Sequence, residues 1–319
     1  MSNEAHSADV QKLSVVVPAL DEAPAIPALV EGITRACQAA ERDFEIVIVD
    51  DGSTDETFER VQEMNARDPR VRGVRFRGNF GKAAALTAGF AAARGGVVIT
   101  MDADLQDDPA EIPRFLAKLE EGFDLVSGWK EVRHDPLGKT LPSRVFNRVT
   151  ARLTGVPLHD FNCGFKAYRR ELIDEIEVYG ELHRFIPVLA AQKRFRIGEI
   201  AVRHHARPFG RSKYGVERFL RGFLDLITIL FLTKYVRRPA HLFGATGLTM
   251  AAAGFAISLY MTFLWVTGHR PIGSRPLLLL GVLLLIMGVQ FVSMGLIGEL
   301  ILRRTRPAAE TFSVRETIG

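Results

Sequence analysis

Five short apolar runs rich in β-branched residues punctuate the first 130 positions: "LSVVVP" from Leu13, "FEIVIVDD" from Phe44, "VRGVRF" from Val71, "GVVITMDAD" from Gly96 and "FDLVSGW" from Phe123. Between them the spacing predicts helices from about Glu22 to Ala40, from about Asp55 to Asn65, over "GKAAALTAGFAAARG", and after Pro109. Near-continuous apolar strands alternating with helices predict a mainly parallel sheet covered on both faces, an α/β fold of Rossmann-like type. Such sheets take their ligands at the carboxyl ends of the strands. Polar clusters fall at those ends: "PALDE" after the first strand, "DDGSTD" after the second, "DADLQDD" after the fourth.

The last third of the chain follows another pattern. No charged residue occurs from Leu242 to Gly268, nor from Pro276 to Gly298. Each run exceeds the roughly 20 residues that cross a bilayer core as a helix. With only "HRPIGSR" between them, they predict a transmembrane hairpin over 239–302, with spans of about 242–267 and 276–299. Upstream, Phe219, Leu220, Phe223, Leu224 and Ile227 share a helical stripe opposite Arg218, Arg221 and Asp225. Residues 216–238 are therefore expected as an amphipathic helix at the membrane interface, the alternative being an ordinary core-facing helix. Basic flanks at both outer ends, "KYVRR" and "RRTR", place the domain over 13–215 and the tail over 303–319 in the cytoplasm, making this a multi-pass protein of the inner membrane. Residues 1–12 lack the apolar stretch of a signal peptide and are expected to be disordered.

Composition adds little to this. Across 319 residues the net charge is +4, too mild an excess to imply nucleic-acid binding. Two cysteines, Cys37 and Cys163, make neither a disulfide framework nor a metal-type spacing, which suits a reducing compartment.

The strand-end clusters carry the chemistry. In "VDDGSTD", Ser53, Thr54 or Asp55 could cap a following helix, whereas Asp50 and Asp51 suit hydrogen bonds to a ribose or a base edge. "RGNFGKAAA" resembles a phosphate loop, but Phe76 stands where the first glycine of that motif belongs, so nucleotide-triphosphate hydrolysis is not expected. In "DADLQDDP", Asp102 and Asp104 would face the same way on an extended backbone, with Gln106 joining them. Hard oxygen donors in that number suit Mg²⁺ or Mn²⁺ shared with substrate phosphates. Asp107 and Asp108 are expected as a solvated helix start ahead of Pro109.

Taken in order, "VVVPALDEA", "VDDGSTDET", "NFGKAAAL", "DADLQDDP", "CGFKAYRRE" and "RPFGRSKYG" resemble the family 2 glycosyltransferases that act on polyprenyl phosphates, such as dolichyl-phosphate mannose synthases and bacterial undecaprenyl-phosphate sugar transferases. The resemblance runs from about Leu13 to Tyr235. It implies a GT-A type nucleotide-sugar-binding domain and inverting transfer of one sugar, from GDP-mannose or a UDP-sugar, to a polyprenyl phosphate. It further implies that Pro18, Glu22 and Asp50 hold the nucleoside and that Asp102 sits near the ribose and diphosphate. Asp104 and Gln106 would bind the metal, while Arg207, Ser212 and Lys213 would close over the donor and acceptor phosphates. Lys130 stands where relatives often carry arginine, and Leu20 replaces an aromatic residue. Arg144, His183 and Arg184 are candidate cations for the acceptor, surface ion pairs being the alternative. The segment Arg203 to Gly215 is expected to be a mobile basic lid, or else a patch for lipid headgroups. Two other readings stay open: a processive polysaccharide synthase, although the Q-x-x-R-W signature is missing, and a catalytically silent membrane scaffold of the same fold. Oligomeric state stays open too, a homo-oligomer included.

Overall fold

The computed structural model describes residues 12–131, 137–176, 182–205, 239–269, 271 and 275–305. Arg207, Ser212 and Lys213, the basic segment after His205 and the amphipathic stretch 216–238 lie outside them. The chain divides into two compact units, Met1–Ile229 and Leu230–Gly319.

The first unit is built on a seven-stranded sheet: β1 (Leu13–Ala19), β2 (Phe44–Asp50), β3 (Val71–Arg75), β4 (Val97–Thr100), β5 (Leu125–Trp129), β6 (Lys166–Arg169) and β7 (Ile197–Ala201). Their order is β3-β2-β1-β4-β6-β5-β7. All run parallel except β6, which lies antiparallel between β4 and β5. Helices α1 (Ile26–Ala39), α2 (Thr57–Arg67), α3 (Lys82–Ala92), α4 (Ile112–Glu120), α5 (Leu137–Thr154), α6 (Arg170–Glu175) and α7 (Ile186–Gln192) complete it.

The alternation of side chains along each strand divides the core in two. Leu13, Val15, Val17, Ile46 and Ile48 face α1, α2 and α4, packing on Ile26, Leu29, Val61 and Phe115. Val16, Val47, Val49 and Val98 face α3, α6 and α7, packing on Ala85, Leu86, Leu172 and Ile186. β2 is buried along its whole length, whereas edge strand β3 alternates buried and open positions. That contrast is what central and edge placement demand of a two-faced sheet. All five strands expected from the sequence are present; β6 and β7 are additional.

The second unit is a helical hairpin, α8 (Pro239–Val266) and α9 (Pro276–Thr305). Both helices are long and apolar enough to cross a membrane. Glycines spaced by seven form the seam. A Cβ added at Gly247 would stand 2.6 Å from the Gly288 carbonyl oxygen, and one at Gly254 would stand 2.6 Å from that of Gly281. Backbones meeting this closely are how helices associate where no hydrophobic drive is available.

Candidate active site

Two loops at the carboxyl rim are tied together first. After β1, the Asp21 and Glu22 amides donate to Ser53 Oγ (2.9 Å) and Thr57 Oγ1 (2.9 Å), while Asp21 Oδ1 accepts from the Thr54 amide at 2.8 Å. Pro18 and Glu22 are thereby fixed beside the end of β2. Asp50, its last residue, is fully buried, and its Oδ1 caps the Ser53 amide at 2.9 Å. Its Oδ2 lies 3.5 Å from Arg75 Nε and has no hydrogen-bond partner. An unsatisfied buried carboxylate oxygen is costly, and a ligand donor is one way to satisfy it.

Asp51 has different work from that expected of it. It accepts the Phe80 amide at 2.7 Å and the Gly81 amide at 2.9 Å, pinning the loop that enters α3. The turn that allows this requires Gly52, whose φ is +73° and whose added Cβ would stand 2.3 Å from the Gly78 carbonyl carbon. The pinned loop delivers Lys82 to Asp102, Nζ to Oδ1 at 2.5 Å. Burial opposes the charge on Asp102, but Lys82 and then Lys130 overcome it and lower its pKa to about 2.

The metal turn departs from the extended geometry expected of it. β4 ends at Thr100, and residues 103–105 form a turn in which Leu105 has φ +58°. Asp102 and Asp104 are therefore not related by strand alternation. Asp102 meets Lys82, while Asp104, 9% exposed, accepts the Gln106 amide at 3.2 Å. The solvated helix start is half right. Asp108 accepts the Ala110 amide at 3.0 Å ahead of Pro109, but Asp107 is buried and faces Lys130 Nζ at 2.8 Å. A lysine this enclosed needs a counter-charge. Burial opposes the Lys130 charge, but Asp107 more than offsets it and raises the pKa above the ordinary lysine value.

Among the described residues no three His, Cys, Asp or Glu side chains converge. Asp104 with Gln106 offers a small set of hard oxygens. That fits an ion which completes its shell with phosphate oxygens and water better than it fits an all-protein cage. Beyond the turn, His205 N donates to the Gln106 carbonyl at 2.9 Å and His204 bridges Asp107. The strand leading into the basic segment is thus joined to the metal turn. These histidines make no metal cluster, in keeping with the sequence reading.

Of the acceptor candidates, Arg144 lies in α5, while His183 and Arg184 lie in the 3₁₀ turn Leu182–Phe185. Burial first, then Lys82, Arg184 and Lys166, holds His183 well below the ordinary histidine pKa. Cys163 is a packed thiol that burial raises to about 12. Sequence reasoning passed over Lys82 and Lys166. Their signal was a lysine set among apolar residues, in "NFGKAAAL" and "CGFKAY".

A Rossmann-like sheet with a D-x-D turn at its rim is the GT-A fold of a glycosyltransferase. Residues 14–177 match the model of glycosyl transferase family 2, and the chain belongs to that family. It is 41% identical over 297 residues to a dodecaprenyl-phosphate galacturonate synthase of Rhizobium johnstonii, covering 92% of this chain and 88% of that one. It is 37% identical over 308 residues to an undecaprenyl-phosphate 4-deoxy-4-formamido-L-arabinose transferase of Salmonella choleraesuis, covering 94% and 93%. Among solved structures, glucosyl-3-phosphoglycerate synthase from Mycobacterium tuberculosis, in complex with Mn²⁺, UDP and glucosyl-3-phosphoglycerate, superposes with a TM-score of 0.55 at 22% identity, covering 71% of this chain and 81% of that one.

Proposed function

We propose that the protein transfers one sugar, with inversion, from a nucleotide-diphosphate donor to a polyprenyl phosphate at the cytoplasmic face of the membrane. The observation that carries this is the match to two polyprenyl-phosphate sugar transferases over more than nine-tenths of the chain. A match of that length takes in the apolar hairpin as well as the sheet. It favours a single transfer onto a lipid over processive polymer synthesis.

In this reading Asp50, through its unsatisfied Oδ2, and the tied loop bearing Pro18 and Glu22 hold the nucleoside. Asp104 and Gln106 hold Mg²⁺ or Mn²⁺, which when bound neutralises charge on the departing diphosphate. Lys82 keeps Asp102 ionised and in place beside the donor. Lys130 and Asp107 brace the turn from behind. Arg207, Ser212, Lys213 and Arg144 supply the phosphate-binding cations and hydroxyl. A phosphate monoester has a second pKa of about 6, so the acceptor arrives as a nucleophile and no side chain need serve as its base. UDP, the nucleotide held by the structural neighbour, is the first to test ahead of GDP-mannose.

The test is a reconstitution. Purified protein with undecaprenyl phosphate, Mn²⁺ and a panel of labelled nucleotide sugars should yield one labelled, chelator-sensitive glycolipid. Label appearing only in polymer, or in no lipid with any donor, overturns the proposal.

A further inference from the structure

The rim holds cations that the donor-side carboxylates and the metal turn do not use. An open cleft of ≈ 250 Å³ lies beside Asp102, bounded among others by Lys82, Asn162, Lys166, His183 and Arg184. It is too small for a nucleoside diphosphate and of a size to receive a single sugar ring. Lys166, the first residue of β6, lines it while only 3% exposed. Its Nζ donates to the main-chain carbonyls of Cys163 and, at 3.4 Å, Phe161. Carbonyl oxygens carry no formal charge, so these contacts leave the lysine charge uncompensated. Of the nearby carboxylates, Asp102 is engaged by Lys82, and Asp160 accepts the Asn162 amide at 3.0 Å. Three formal cations thus share a small, partly enclosed space, and burial disfavours the charged form of Lys166.

We propose that this cleft receives a carboxylate on the transferred sugar, so that the donor is a nucleotide-diphosphate uronic acid. The inference rests on the sugar-transfer reading above and names the class of sugar. Position favours the donor's sugar over the acceptor's phosphate. The Gly164 backbone lies against the D-x-D turn, where an added Cβ would stand 2.5 Å from Asp102 Oδ1, and Thr100 Oγ1 fastens the Gly164 carbonyl at 2.7 Å. The cleft wall is therefore continuous with the turn, and a sugar hanging from a diphosphate there reaches it directly. Lys166 is also enclosed, which suits a compact ring better than the headgroup of a lipid that must withdraw into a bilayer. A neutral sugar would leave the same cations facing hydroxyl dipoles, a weaker partner than an anion.

The experiment is donor binding by the purified full-length protein with Mn²⁺, comparing UDP-galacturonate with UDP-galactose and UDP-glucuronate with UDP-glucose. The wild type is expected to bind a uronate about 10- to 100-fold tighter than its neutral partner, and Lys166→Gln to shrink that ratio to about 3-fold or less. Affinity for UDP alone should be unchanged in the variant, which separates lost selectivity from lost folding. If Lys166→Gln does not fold, Arg184→Gln is read in the same way. Equal binding of acidic and neutral donors by the wild type overturns the inference, as does selectivity that survives in the folded variants. A variant whose only change is a raised KM for polyprenyl phosphate also overturns it, by moving the cleft to the acceptor. Selective uronate binding without transfer to lipid would sink the transfer reading and leave this one standing. Lipid glycosylation from neutral donors as readily as acidic ones would do the reverse.

Discussion

At the scale of single residues, the rim separates carboxylates that brace from carboxylates that bind. Asp107 and Lys130 face each other at 2.8 Å with Asp107 buried, so Asp107→Asn strands a lysine charge. That variant should lose about 3–5 kcal/mol of stability, measured by chemical unfolding, whereas Asp107→Asn with Lys130→Met should recover much of it. Asp104→Asn should behave in the opposite way. Its thermal midpoint should stay near the wild type while turnover falls about 10²- to 10³-fold, the loss typical of removing one electrostatic stabiliser. Wild-type turnover in Asp104→Asn would remove the residue from the metal site. His183 sets the acid limit. Its folded pKa is depressed, so the unfolded chain takes up a proton near pH 6.5 that the folded chain refuses. Stability should therefore decline as pH falls below about 6.5 and keep declining down to the folded pKa. His183→Asn should flatten that limb of the profile, as read from thermal midpoints across the pH series.

At the scale of elements, the strands were legible because parallel, doubly covered strands are apolar almost without interruption, as in "SVVVP" and "EIVIVD". β6 was not. Four residues, "KAYR", two of them basic, carry no such pattern, and the strand is held by neighbours on both sides. The rule that ligands gather at strand ends found Asp50, Asp102 and Asp104. The rule could not see that Leu105 would turn the D-x-D out of strand geometry, since positive φ at a leucine has no signature in composition. Nor could it see Lys82 reaching Asp102, a contact set by Asp51 pinning a loop thirty residues away. In the hairpin the seam makes a sharper forecast. A Cβ at Gly288 would stand 2.6 Å from the Gly247 carbonyl oxygen, so Gly288→Val should force α8 and α9 apart. Disulfide trapping between cysteines placed at Ala251 and Val292 should be efficient in the parent hairpin and drop sharply in the variant.

At the scale of the whole molecule, the forecast concerns which side of the membrane each unit occupies. Cys37 and Cys163 are buried, so introduced thiols report against a quiet background. A cysteine at exposed His269, between the two spans, should react with a membrane-impermeant reagent in intact cells. One at exposed Glu41 should react only after permeabilisation. The reverse pattern would put the sheet on the outside and take the proposed cytoplasmic donor supply with it. The single reversed strand has a consequence for how such a protein can change over generations. Because β6 runs against its neighbours, it is the start of that strand, and the loop from Gly155 to Phe165 before it, that arrives at the rim. Insertions and replacements in that loop can reshape the sugar's side of the site without shifting the register of any strand. The nucleotide's side, built from β1 and β2, would be inherited intact while the choice of sugar drifts.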